Sequence, residues 1–366
     1  VIAGHEAGHP RGGGTPRLRM RGTVLPEAVV RDVWVADGTI SLDPLPGAVT
    51  VHTGGYLIPG LVDVHCHPGT VEVGLPVDDD QLLADGAAHL RAGTTLIRVP
   101  GSGSRLPSWF GERPGLPRVV AAGLPVAVEG GFFPGWGRQV GIDDVPRAAA
   151  EEAGASGWCK LIVDWFDDDA GYAATMSAEV VAAAARAARG TGGRIAVHTQ
   201  SAEGGHAAVK ARVDSVEHGM HLPTELLGEM AAIGTALVPT ATVFTSLAPQ
   251  MDVDAVPPAL RSWFASGLRR HRDLVRSAHE AGVVVLAGTD LPPGSLTTEI
   301  RWLAEAGLTA HDALGAGSWA ARRWLGYPGI EHGAPADLVV FDEDPRSDLR
   351  MLDHPRLVVA RGAVVG

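Results

Sequence analysis

The sequence predicts a (β/α)8 barrel joined to a small β-sandwich built from both chain ends, and three observations predict it. A long middle stretch alternates apolar, β-rich runs with alanine-rich helical patterns. Both ends read as strands and turns without a helical period. Histidines or an aspartate follow several of the middle strands, where barrels keep their reactive side chains. At 366 residues the chain is too long for one small core and suits a large barrel with an appendage.

Taken in order, residues 1–16 are rich in Gly, His and Pro and read as a flexible leader. Residues 17–57 place short apolar runs between turn residues, at Thr23–Leu25, Ala28–Val35, Thr39–Leu42 and Ala48–His52. Residues 334–366 behave alike through Ala336–Phe341, Leu357–Ala360 and Ala363–Val365, so the two segments are expected to form the sandwich together. Residues 58–333 hold the barrel. Its strands are expected at Leu61–His65, Thr95–Val99, Arg118–Ala121, Cys159–Val163, Arg194–His198, Ser215–Glu217, Ala236–Pro239 and Val283–Ala287. Helical patterns lie between them at Asp80–Ala92, Asp143–Ala153, Ala178–Arg189, Pro223–Ile233 and Ala259–Ala281. A doubly wound open sheet is the runner-up, but it usually has a glycine-rich phosphate turn after the first strand, and here that strand ends in histidines.

Composition excludes several classes. No apolar run reaches the roughly 18–20 residues of a membrane span. A net charge of -12 argues against nucleic acid, whose phosphates need a basic surface. No signal-like segment opens the sequence, which points to the cytoplasm, and a homo-oligomer is compatible with it. Cys66 and Cys159 fall on opposite sides of the expected barrel, their thiols outward beneath the helices, so no disulfide is expected. The acidic triplets Asp78–Asp80 and Asp167–Asp169 read as solvated loops.

The chemistry concentrates at strand ends. His65 and His67 are two apart, a spacing that on a strand puts both imidazoles on one face. His198, His218 and Asp290 each follow an expected strand. Lys160 sits inside Trp158-Cys159-Lys160-Leu161-Ile162-Val163, an apolar run that would ordinarily exclude an ammonium. Of the 30 basic residues only Lys160 and Lys210 are lysine, in a composition that uses arginine wherever arginine serves. A buried lysine loses basicity, and its amine can capture CO2 as a carbamate that bridges two cations; arginine, which stays protonated, cannot. The set reads as two adjacent sites, His65, His67 and Asp290 for one metal and His198 with His218 for the other, with Lys160 between. Nitrogen and oxygen ligands without thiolate suit zinc, with manganese, cobalt or iron also possible. Two such metals would lower the pKa of a bridging water, and Asp290 would carry its proton to the leaving group: metal-assisted hydrolysis of an amide.

These residues resemble the amidohydrolase superfamily. Pro59-Gly60-Leu61-Val62-Asp63-Val64-His65-Cys66-His67 is similar to its first-strand signature. Val216-Glu217-His218-Gly219 and Gly288-Thr289-Asp290 are similar to its sixth and eighth, and Gly333–Val340 to its returning β segment. The resemblance implies a distorted barrel with a β-sandwich and the ligand set above. Deaminases of this group generally carry a glutamate three residues after the fifth-strand histidine; here that position is Ser201, which disfavours them. The lysine favours the binuclear relatives that include prolidase-like dipeptidases, with a mononuclear deaminase or an imidazolonepropionase-like cyclic-amide hydrolase as the alternative. Where those dipeptidases often show Thr-Gly-Gly-His, this chain has Glu129-Gly130-Gly131-Phe132. That puts peptide specificity in doubt and leaves Glu129 as a rival ligand to Lys160. A non-catalytic metal-binding barrel is the reading from another class, and its mark would be a gap in the ligand set; none is found.

The expected substrate is a small molecule or dipeptide. Arg98, Trp136, Arg138, Trp165 and His221 are candidate contacts, with Arg138 placed to clamp a carboxylate and Trp136 to form an apolar wall. The glycine- and aromatic-rich stretch Gly130–Gly137 reads as a mobile lid.

Overall fold

The structure, a computed structural model, describes residues 16–167 and 169–366. The expected leader therefore lies, apart from Pro16, outside the described residues.

Both chain ends build one sheet of seven strands, in the order Ala363–Val364, Leu357–Ala360, Leu338–Phe341, Val49–Pro59, Leu18–Val24, Val29–Ala36 and Thr39–Ser41. Alternation decides its faces: Leu18, Met20 and Val24 are buried on one side of their strand. The sheet folds over on itself, because Thr39 bridges Pro335 and Ile40 donates to the Ala334 carbonyl. The two layers of the expected sandwich are thus one continuous sheet, closed around Met20, Val33, Val35, Leu57, Leu338 and Val340.

The middle of the chain winds the barrel. Leu61–Asp63, Thr94–Val99 and Arg118–Ala121 pair in parallel, as do Trp158–Ile162, Arg194–Thr199, Ser215–His218 and Ala236–Val238. A short strand, Val126–Val128, joins the second group through Leu161. The eighth position is irregular: it bridges strand seven at Leu237 and Val285 only. Backbone hydrogen bonds still tie it to both neighbours, Leu237 N–H to the Val284 carbonyl at 2.9 Å and Val64 N–H to the Ala287 carbonyl at 3.0 Å. The last strand thereby meets the first. Inside, Val62, Val64, Leu96, Ala236, Val238 and Leu286 pack together below the mouth.

The helices follow the expected pattern with small shifts, at Asp79–Arg91, Val145–Ser156, Ala178–Gly190, Leu227–Ile233 and Pro258–Glu280. Asp78 caps the first of them by accepting from Gln81 N–H, and Asp79 and Asp80 lie in its first turn against the positive helix end. In the other triplet, Asp167 accepts from the Asp169 and Ala170 amides in a local turn. Cys66 and Cys159 are buried free thiols outside the barrel wall, Cys66 packed with Leu82 and Phe110. Among the elements that escape the sequence reading are an antiparallel hairpin, Asp164–Asp167 with Gly171–Ala174, and a helix, Ala241–Met251. Both border the mouth of the barrel. No described helix is long and apolar enough to cross a membrane.

Candidate active site

The first barrel strand ends at Asp63, two residues before the sequence pattern placed its end, so His65 and His67 lie on the bend that follows. Their convergence is therefore set by fixed hydrogen bonds and not by strand alternation. Asp63 accepts from the amides of His65 and Thr289 and from the Thr289 hydroxyl, which pins the bend to the eighth strand. Gly288 lets that strand approach: a Cβ there would lie 2.6 Å from the His65 Cβ.

Each imidazole is oriented from behind. His67 donates from Nδ1 to the Gly101 carbonyl at 2.7 Å, leaving Nε2 a lone pair. His65 Nδ1 is 2.6 Å from Glu217 Oε2, and His218 Nδ1 is 2.7 Å from the Thr240 hydroxyl. The ring centroids run in file: His67 to His65 5.3 Å, His65 to His218 5.1 Å, His218 to His198 4.6 Å. Asp290 Oδ1 lies 3.0 Å from His67 Nε2 and 3.5 Å from His65 Nε2. His65, His67 and Asp290 can offer three ligand atoms within 4.8 Å of one another.

The backbone is strained where this file turns. A strand alternates its side chains, so Glu217 and His218 could not both face inward on a regular ladder. His218 takes φ 71°, and Thr240 and Asp290 take φ 48° and 54°, left-handed values that non-glycine residues rarely adopt.

Lys160 completes the group. It is buried, its Nζ has no hydrogen-bond partner among the described residues, and it lines the same cavity as the four histidines and Asp290. It forms no pair with Asp164. Asp164 instead accepts from Thr199, Gln200 and Ser201, capping the turn after His198, and Ser201 continues as the N-cap of the next helix. Burial lowers Lys160 to about 8, against the opposing pull of Glu217. Burial, reinforced by the Lys160 charge, holds His65 and His198 well below the usual imidazole range; His218 is held there by burial and by its neighbours His198 and His65. Asp290 goes the other way: burial would raise it, but His65, His67 and Lys160 outweigh burial and keep it ionised.

The neutral imidazoles of His65, His198 and His218, the ionised carboxylate of Asp290, and two buried polar atoms without partners among the described residues, Lys160 Nζ and His198 Nε2, make a donor set that fits divalent cations. A match to the amidohydrolase family spans residues 56–365. The chain belongs to the amidohydrolase family. An uncharacterised protein of Mycobacterium tuberculosis is 37% identical over 361 residues, 96% of each chain. In fold, this amidohydrolase is similar to a Xaa-Pro dipeptidase solved with bound methionine (TM-score 0.81, 22% identity, 95% of this chain and 99% of that one). It is likewise similar to the ochratoxinase of Aspergillus niger (TM-score 0.79, 19% identity, 95% of each chain).

The substrate contacts expected from sequence divide. Trp136 and Trp165 line the amidohydrolase's cavity. Arg98 does not: it is buried inside the barrel, donating to Glu217 at 2.7 Å and to the Val64 carbonyl at 2.6 Å, between the rings of Trp158 and Trp324. Arg138 is taken by Glu151 at 2.5 Å and by Glu152. His221 stacks on Trp263 at 4.4 Å, with Arg270 on its Nδ1, and faces a separate groove. Glu129 is exposed beyond the Val126–Val128 strand and does not line the cavity, so it is no rival to Lys160. Sequence reasoning missed Glu217 and Thr240, the residues that orient His65 and His218. Glu217 had a signal, a carboxylate inside an apolar strand immediately before a candidate ligand histidine; Thr240 had none.

Proposed function

We propose that this amidohydrolase hydrolyses the amide C–N bond of a small molecule using two divalent cations, with a carboxylated Lys160 between them. The observation that carries the reading is the file His67–His65–His218–His198, flanked by Asp290 and by the unpartnered amine of Lys160. His65, His67 and Asp290 would hold one cation and His198 with His218 the other; zinc suits these donors best, with manganese, cobalt or iron possible. Such cations supply Lewis acidity for the scissile carbonyl and lower the pKa of water at the site.

The chain's own residues do the rest. In its neutral form the Lys160 amine adds to CO2, forming an N–C bond and releasing one proton, which turns a buried amine into an anion suited to sit between two metals. Glu217, held by Arg98 and by the Ser215 hydroxyl, fixes the His65 tautomer. Asp290, kept ionised, accepts the proton of the attacking water and returns it to the departing nitrogen. The family and the dipeptidase- and ochratoxinase-named neighbours support an amide as the bond broken.

A second reading has one observation behind it: His65, His67 and Asp290 alone form a compact triad, enough for a single cation. Metal analysis after reconstitution with zinc or manganese separates the two. Two cations per chain, a 13C-labelled carbamate resonance that forms with labelled bicarbonate, and loss of amide hydrolysis in Lys160→Arg are expected. Full activity with one cation per chain selects the mononuclear reading, and an active Lys160→Arg removes the carbamate.

A further inference from the structure

The cavity above the histidine file is walled by rings. The Gly130–Gly137 loop contributes Phe132, Phe133 and Trp136, and the hairpin contributes Trp165, Phe166 and Tyr172. These rings hold one another: Trp165 lies 4.8 Å from Phe132 and 4.7 Å from Phe133, and Tyr172 stacks on Trp263 at 4.6 Å. Phe244, Leu247 and Met251 of the helix Ala241–Met251 close another side. Among the described residues, Lys160 and Asp290 are the only lysine, arginine, aspartate or glutamate side chains on the lining, and both belong to the group proposed to bind metal.

The nearby arginines are committed elsewhere. Arg98 serves Glu217, Arg138 serves Glu151 and Glu152, and Arg270 serves His221. Arg261 pairs with Asp254, and the exposed Arg269 lines a different groove, which shares only Met251 and Phe264 with the cavity. A substrate carboxylate seated among these rings, away from the cation-binding floor, would lose its hydration and meet no side-chain cation among the described wall residues, which is unfavourable. What the wall does offer is flat apolar area and two unused neutral groups. Among the described residues, Trp136 Nε1 is buried without an acceptor, and Gln200 Oε1 is buried without a donor.

From this we infer that the substrate is an uncharged aromatic amide and not a dipeptide or N-acyl amino acid. The inference rests on the amide-hydrolase reading above. Its aryl groups would pack edge and face against Trp165 and Phe133, and a neutral acceptor on it would meet Trp136 Nε1. The carboxylate clamp expected of Arg138 drops out.

A matched pair tests it on the zinc- or manganese-loaded full chain: 2,N-diphenylacetamide, and the same anilide carrying a para-carboxylate on its aniline ring. The neutral compound should show kcat/KM at least about 100-fold above its charged twin, and above phenylalanyl-proline. Equal or better turnover of the carboxylated anilide or of the dipeptide overturns the inference and leaves the amide-hydrolase reading intact. Should no amide be hydrolysed, quenching of tryptophan fluorescence decides separately. Saturable quenching by the neutral anilide, absent with the charged one, sustains the substrate class while the reaction reading falls; no saturable quenching by the neutral anilide overturns the substrate class.

Discussion

His65 Nδ1 and Glu217 Oε2 lie 2.6 Å apart, both buried, and Glu217 in turn accepts from Arg98. One carboxylate therefore joins a candidate ligand histidine to an arginine whose guanidinium is caged between two indoles. Glu217→Gln keeps the shape and removes the charge. It should weaken cation binding by about 10–100-fold, because His65 loses its fixed tautomer. It should also lower stability by roughly 3 kcal/mol, because Arg98 is left buried and uncompensated. Chelator competition and urea unfolding read the two effects; unchanged cation affinity would show that Glu217 does not position His65.

Lys160 makes no hydrogen bond among the described residues, and burial lowers it to about 8. In metal-free protein, Lys160→Met should raise the midpoint of urea unfolding at neutral pH, by an amount equivalent to about 1–3 kcal/mol, since a buried ammonium is exchanged for a thioether of similar length. The same substitution should abolish metal-dependent turnover. Lower stability of the methionine variant would mean that the amine has a partner in solution.

His89 lies at the end of the helix Asp79–Arg91, with neither ring nitrogen hydrogen-bonded, and burial pushes it down to about 4. A histidine depressed in the folded state stabilises fully above its unfolded pKa of about 6.5, and that contribution is lost as pH falls toward the folded value. Between about pH 7.5 and about pH 4.5 the loss from this residue is roughly 2.5 kcal/mol. His89→Leu should remove that part of the acid sensitivity, measured as the change in urea unfolding free energy across the interval. Identical pH slopes in variant and parent would contradict a buried neutral His89. His271, also buried and pushed down to about 4, should behave in the same way.

Trp136 stands with its ring edge-on to His67, centroids 5.4 Å apart, and its Nε1 has no acceptor. Trp136→Phe should raise KM about 3–10-fold for the amide that is turned over, with kcat nearly unchanged, as expected for loss of one ground-state hydrogen bond. A fall in kcat alone would place the indole in the chemistry instead.

Legibility varied with how local the cause was. The chain's strand ends announced His65, His67, His198, His218 and Asp290, and a single lysine in an apolar run announced Lys160, because burying an ammonium is costly enough to need a reason. Arg98 and Arg138 were misleading for the complementary reason: an arginine near a site looks like a substrate contact until its carboxylate partner, Glu217 in one case and Glu151 in the other, is located in space. The ring-walled cavity was half visible, with Phe132, Phe133 and Trp136 in a glycine-rich loop, but the hairpin bearing Trp165 and Tyr172 is too short to carry a readable period.

The sequence by itself determined the architecture, the family and the candidate ligands, since periodicity, strand-end placement and composition are properties of neighbouring residues along the chain. Only the tertiary structure decided which nitrogen each histidine presents, which carboxylates and hydroxyls stand behind them, and that the described cavity lining has no lysine or arginine beyond Lys160. Those outcomes depend on contacts between residues as distant as His65 and Glu217 or Asp63 and Thr289, and on left-handed turns at His218 and Asp290 that no local pattern encodes.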